Sequence, residues 1–140
     1  MLNFTAYTGT FAGAIGGFNG IVIDDDTAMT LTTAAADVSN GNWEFDFTDR
    51  EATLAGTSFL TWDNADFAGD TVKVNFTDAT QAAAGWNIAD AAFDASTTFT
   101  LAIGGSDVTS VAYDTEISGG DWDGWKFTSV DGTLKFAKLA

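Results

Sequence analysis

Three stretches of the chain alternate strictly between apolar and polar residues. Trp43, Phe45 and Phe47 alternate with Asn42, Glu44, Asp46 and Thr48; Val72, Val74 and Phe76 with Thr71, Lys73, Asn75 and Thr77; Phe99, Leu101 and Ile103 with Thr98, Thr100 and Ala102. Successive side chains of a strand point to opposite faces, so each run reads as a half-buried antiparallel strand with one dry face. Weaker strand-like runs span 2–8, 20–24, 28–33, 52–55, 58–62, 109–113, 125–128 and 133–139. Turn-forming clusters separate them: Asp24-Asp25-Asp26, Ser39-Asn40-Gly41-Asn42, Asp63-Asn64-Ala65-Asp66, Gly104-Gly105-Ser106-Asp107 and Asp131-Gly132. Asp131-Gly132 is the sharpest, because Asp-Gly between two strand-like runs suits a hairpin turn whose central residues need φ > 0.

One segment breaks the pattern. Asp78 followed by an alanine-rich run and Gly85 spells a capped helix of about two turns near 79–84. Residues 89–95 add a further turn at most. The expected fold is therefore a single all-β domain over 1–140. It is an antiparallel two-sheet sandwich, Ig-like or jelly-roll-like, of about 8–10 strands with one short helix. Its inner faces hold the nine alternating apolar residues named above.

Gly41-Asn42-Trp43-Glu44-Phe45, Gly85-Trp86-Asn87-Ile88 and Gly124-Trp125-Lys126-Phe127 share a glycine followed by Trp-x-apolar. Either three strands begin alike or a unit is duplicated. A propeller or solenoid calls for more and cleaner repeats.

Composition narrows the chemistry. The 140 residues contain no histidine, cysteine or proline. Imidazole bases, Ser-His-Asp triads, thiol nucleophiles, Cys or His zinc sites and disulfides are excluded. Apolar residues at 46% argue against disorder. Threonine, at 21 residues, supplies β-branched side chains for the wet faces. Of the 20 acids, 17 are Asp, which suits turns rather than helices.

The net charge of −15 disfavours nucleic acid and anionic membranes, because both are bound through Lys and Arg. No stretch is apolar and long enough to insert in a membrane as a helix. The first basic residue is Arg50, so a charged leader is not apparent, and the chain reads either as cytosolic or as a mature or excised piece of something longer. Residues 1–125 carry net −17, whereas 126–140 carry net +2 through Lys126, Lys135 and Lys138 against Asp131.

Carboxylates are the remaining candidates for chemistry. Asp24, Asp25 and Asp26 repel one another, and a divalent cation relieves that; the alternative is a solvated turn. Asp121 and Asp123 precede Gly124 in a D-x-D-G segment that resembles part of a calcium loop but lacks the closing glutamate. Ca2+ is the one cofactor admitted. Glu44, Glu51 and Glu116 sit in no pocket-forming pattern, and with 20 acids a carboxylate pair signals nothing about glycoside hydrolysis. No catalytic residue is assigned and the chain is expected not to be an enzyme. Asn3 and Asn75 begin N-x-T sequons, a weak signal in so threonine-rich a chain.

Trp62, Trp122 and Trp125 lie beside Asp, Asn or Gly rather than inside alternating faces. Exposed aromatics of this kind bind sugars or anchor protein interfaces; the alternative is that these rings pack in the core or between elements. Both ends are strand-like. Leu2 and Phe4 at one end, and Leu134 and Phe136 at the other, suit strand addition to a further copy; the alternative is that both end strands pair within their own domain and the lysines only offset local acid. The basic Lys126, Lys135 and Lys138 complement an acidic body, and such head-to-tail contact does not close.

Enrichment in Asp, Thr, Gly and Ala, absent cysteine, scarce lysine, G-x-W-x-F strands and the Asp131-Gly132-Thr133-Leu134 hairpin together resemble the β-sandwich repeat units of large acidic bacterial cell-surface proteins: adhesins, surface layers and extracellular filaments. The resemblance implies an extracellular or cell-surface structural role and carries over no functional residue. The expected function is thus a non-enzymatic structural or interaction domain that associates with itself, head to tail, or with neighbouring domains of a longer chain. The alternative is a carbohydrate-binding module using the exposed tryptophans, with a glycan as partner.

Overall fold

The computed structural model describes residues 2–16, 18, 20–38 and 41–138. Ser39 and Asn40 of one expected turn and Leu139 of the last expected strand lie outside the described residues. Twelve strands form among those described: β1 Leu2–Thr5, β2 Thr10–Phe11, β3 Ile21–Asp24, β4 Met29–Leu31, β5 Asn42–Asp46, β6 Leu60–Thr61, β7 Thr71–Phe76, β8 Trp86–Asp90, β9 Thr98–Ile103, β10 Ser106–Ala112, β11 Trp125–Val130 and β12 Thr133–Lys138. A helix, α1 Ala79–Ala83, separates β7 from β8. The Asp78 carboxylate accepts the Gln81 N–H at 2.8 Å and caps it.

The chain is β-rich, but it is not an antiparallel sandwich. One sheet has the order β1-β3-β5-β7-β9-β10 and the other β11-β12-β8-β6-β4-β2. Neighbours from β1 to β9 pair in parallel, as do those from β2 to β8. Only β9–β10, β8–β12 and β11–β12 are antiparallel. The chain therefore winds as a solenoid, laying one strand in each sheet per coil. Four coils stack before two hairpins end the run. Period-2 alternation reports a dry and a wet face but is silent on strand direction, which is why it misdirects here. From β1 to β9 consecutive strands lie in opposite sheets, and each from β3 on pairs with a strand one coil earlier.

Leu2, Ile21, Trp43, Val72 and Phe99 stand in one row across the first sheet, and Phe4, Ile23, Phe45, Val74 and Leu101 in the next. The coils are unequal, 19 residues between the first two row members and 29 between Trp43 and Val72. An inconstant period hides the repeat from the sequence. The Gly-Trp echo does not follow it: Trp43 lies in the first sheet, while Trp86 and Trp125 lie in different rows of the second.

Trp43, Phe45, Phe47, Val72, Val74, Phe76, Phe99 and Leu101 are buried as the alternation predicts, and Ile103 is half-buried. Facing them, the second sheet contributes Met29, Leu31, Leu60, Ile88, Leu134 and Phe136. Aromatic rings run through this core in contact, Phe99 on Phe127 at 4.9 Å and Phe127 on Phe136 at 4.6 Å.

Arg50 is a cation inside this apolar body, only 5% exposed. Its Nη1 donates to the carbonyls of Thr27 at 2.7 Å and Asp25 at 3.2 Å, and its Nη2 to that of Thr57 at 2.8 Å. The guanidinium lies over the Phe59 ring, 3.8 Å from the centroid. Burial pulls its pKa down to about 10, and Asp26 pulls the other way. Arg50 thus ties the β3–β4 turn to the long β5–β6 crossover. An Arg50→Ala variant leaves those carbonyls without their donors and is expected to lose about 3 kcal/mol of stability. Urea unfolding followed by tryptophan fluorescence measures this, and a loss no larger than that of a surface substitution refutes the clamp.

Candidate functional site

The three consecutive aspartates part ways. Asp24 ends β3 in an outward row with Thr5, Asp46, Asn75 and Ala102. Asp25 takes a left-handed backbone, φ 56°. The Asp26 carboxylate accepts the Glu51 N–H at 3.0 Å. In the same row, Asp46 Oδ1 accepts the Thr48 N–H at 3.0 Å and hydroxyl at 2.8 Å. Asn75 is buried, and its Oδ1 accepts the Gly105 N–H at 3.0 Å, so this sequon asparagine is spent on a turn.

Asp121 is exposed in a 3-10 turn at Gly120–Trp122, and Asp123 Oδ1 accepts the Gly119 N–H at 2.8 Å, closing its own loop. Among the described residues, no three acidic side chains gather to hold a metal ion. Of the acids expected as ligands, Asp26 and Asp123 are fixed to backbone N–H groups, while Asp24 Oδ1 is buried without a hydrogen-bond partner.

The outer face of the first sheet holds a shallow cleft of ≈ 250 Å³ lined by Val22, Glu44, Lys73, Thr100 and Asp107 among others. Burial, then the charge of Asp46, pushes the Glu44 carboxyl above its ordinary range, while Lys73 pulls it back. Lys73 Nζ is 3.2 Å from Asp107 Oδ1. Glu51 and Glu116 are exposed elsewhere. On the outer face of the second sheet, Thr10, Thr30, Thr61, Asp90 and Thr133 form one row. Asp90 Oδ1 accepts the hydroxyls of Ser58 at 2.8 Å and Thr133 at 2.7 Å, so this groove satisfies its own carboxylate. These threonines come from separate coils, and nothing local in the sequence links them.

The tryptophans are not displayed. Trp62 is 1% exposed, donates Nε1–H to the Thr33 carbonyl at 2.9 Å and packs on Trp43 and Phe67. Trp122 is buried, and half-buried Trp125 meets it edge-on at 5.1 Å and leans on Phe136 at 5.0 Å. The three do not make a sugar platform. Flanking Asp and Gly suggested exposure, but these rings close the core at its coil ends.

The strands expected to assemble differ sharply. β12 lies between β11 and β8, with Leu134 and Phe136 at 0% exposure, so it is consumed in its own sheet. Lys126 pairs with Asp114 at 2.9 Å. That contact and the Thr128 hydroxyl hold the Asp114 carboxyl below its usual range. Lys135 is half-buried, and exposed Lys138 lays its stem over Gly124. β1, by contrast, pairs with β3 alone, and β2 with β4 alone. Leu2 N–H donates to the Gly20 carbonyl at 3.0 Å. Alternate residues Asn3 and Thr5 therefore turn their backbone groups away from β3, toward an open edge. Half-buried Leu2 and Phe4 lie along that edge, with Phe4 5.4 Å from Phe11 and 5.8 Å from Tyr7. This coil end thus leaves a strand edge open in each sheet. Comparison with family models, curated proteins and solved structures finds no match.

Two outcomes follow from this geometry. Chelator is expected to leave the melting temperature unchanged, and a fall on adding EDTA would show that a divalent cation is bound. Glu44, with its raised folded pKa, binds a proton before the unfolded chain does, so stability rises as pH falls from that raised value toward 4.5. Glu44→Gln should be more stable than wild type at neutral pH, with the difference shrinking through that window. A difference constant with pH refutes the assignment.

Proposed function

We propose that this chain is a non-enzymatic structural and interaction unit of an extracellular bacterial surface or filament protein, associating with its own kind through open sheet edges. One observation carries the reading: the first coil presents two unpaired strand edges over a half-buried apolar rim. The use made of the acids supports it. The carboxylates of Asp26, Asp46, Asp66, Asp78, Asp94 and Asp123 each accept a backbone N–H, so the aspartate enrichment serves turn and cap geometry. Head-to-tail donation of the last strand does not fit, because β12 already has a neighbour on each side.

Light scattering after size exclusion, at rising protein concentration, tests the reading, with electron microscopy to image the product. Concentration-dependent association is expected. A monomer at every concentration and ionic strength rejects self-association, and turnover of a glycan by the pure protein rejects the non-enzymatic part.

A further inference from the structure

We propose that two copies of this chain join by their first coils, β1 against β1 and β2 against β2, about a twofold axis. This rests on the reading of the chain as a self-associating unit and names its contact. The first 23 residues contain no acidic or basic side chain, although the remainder of the chain holds all 20 acids and five bases. The first coil thus carries no charged side chain of its own, and the first along the chain, Asp24, stands beside Thr5 on β3. Approach along the coil sides brings acidic surfaces together, which costs Coulomb energy.

The two ends of the solenoid are also guarded differently. An open edge is commonly protected by charge, proline or a bulge. The far end has two of these: the β9–β10 ladder shifts register between Asp107 and Thr109, and its outer strands carry charge, Asp107 on β10 and Lys126 on β11. β1 and β2 have none. Leu2, Phe4, Tyr7 and Phe11 are only half-buried there, and Phe18 is 39% exposed. Head-to-tail stacking sets the bare end against the guarded one; a twofold sets bare against bare.

The geometry permits it. A twofold axis perpendicular to both the coil axis and the strands reverses strand direction, so each open edge meets its copy in antiparallel pairing, continuing both sheets from six strands to twelve. Inward residues must oppose inward ones. In the register that sets Phe4 against Phe4, Asn3 faces Thr5 of the second copy, and the apolar rims meet. Such a contact closes at two and leaves β10 and β11 outermost.

Asn3 and Thr5 are exposed, so charges placed there spare the core. The test uses Asn3→Lys with Thr5→Lys in one variant and Asn3→Asp with Thr5→Asp in another, each checked for its native circular dichroism spectrum. The intact chain is expected to dimerise, and each variant alone to associate at least about tenfold more weakly, because like charges then oppose across the axis. An equimolar mixture is expected to restore dimers containing one of each, seen by native mass spectrometry. Filaments or open-ended oligomers from the intact chain overturn this contact while self-association stands. Variants that dimerise as the wild type does, or a mixture without rescue, also overturn it. A chain monomeric throughout overturns both readings and leaves the edge to a preceding coil of a longer protein or to a different partner.

Discussion

Stacking in register governs this molecule. Each coil sets its inward side chains directly over those of the coil before, so the same two positions must be apolar at every level. Ile21, Trp43, Val72 and Phe99 meet that demand in one row, and Ile23, Phe45, Val74 and Leu101 in the other. Everything between the rows is free to vary, and does. Coils lengthen through α1 and through the crossover held by Arg50 without disturbing the ladder. A parallel ladder gains nothing from short connections, since its partner strand is a full coil away in any case.

The elements that the sequence made legible are the local ones. Alternation located β5, β7 and β9 and their buried faces, because burial of one face is a property of each strand alone. Asp131-Gly132 and Gly104-Gly105 adopt positive φ at both residues and close the β11–β12 and β9–β10 hairpins. Those are the antiparallel joints, where two-residue turn chemistry applies. No such signal marks a parallel crossover, so direction and sheet order stayed hidden. The tryptophans misled for a related reason. Asp63 and Asn64 after Trp62 are outside the core, while the ring is inside, bonded to Thr33 from the preceding coil. Contacts between coils are long-range and leave no trace in the flanking residues.

Much of the acidity has a structural use. Coils without proline need many sharp corners, and aspartate makes corners by accepting backbone N–H groups one to three residues on. Asp46, Asp66, Asp78 and Asp94 each do so. The by-product is a ring of negative charge at every level but the first. Side-by-side contact between copies is thereby discouraged along most of the molecule's length.

The far end shows how a solenoid stops. Reversal at Gly104-Gly105 lays β10 antiparallel on β9, so the alternation between sheets that built each coil is broken. β11 then takes the outermost position of the second sheet, and the chain doubles back to insert β12 between β11 and β8. Insertion, rather than addition, buries Leu134 and Phe136 completely and brings Trp122 and Trp125 over them as a lid. A terminal strand held on both sides cannot be lent to a neighbour without opening the core. The asymmetry between ends is thus set by topology: one is finished by hairpins and inserted aromatics, and the other is a cut through the repeating ladder, with its hydrogen-bonding groups and half its apolar rim still facing outward.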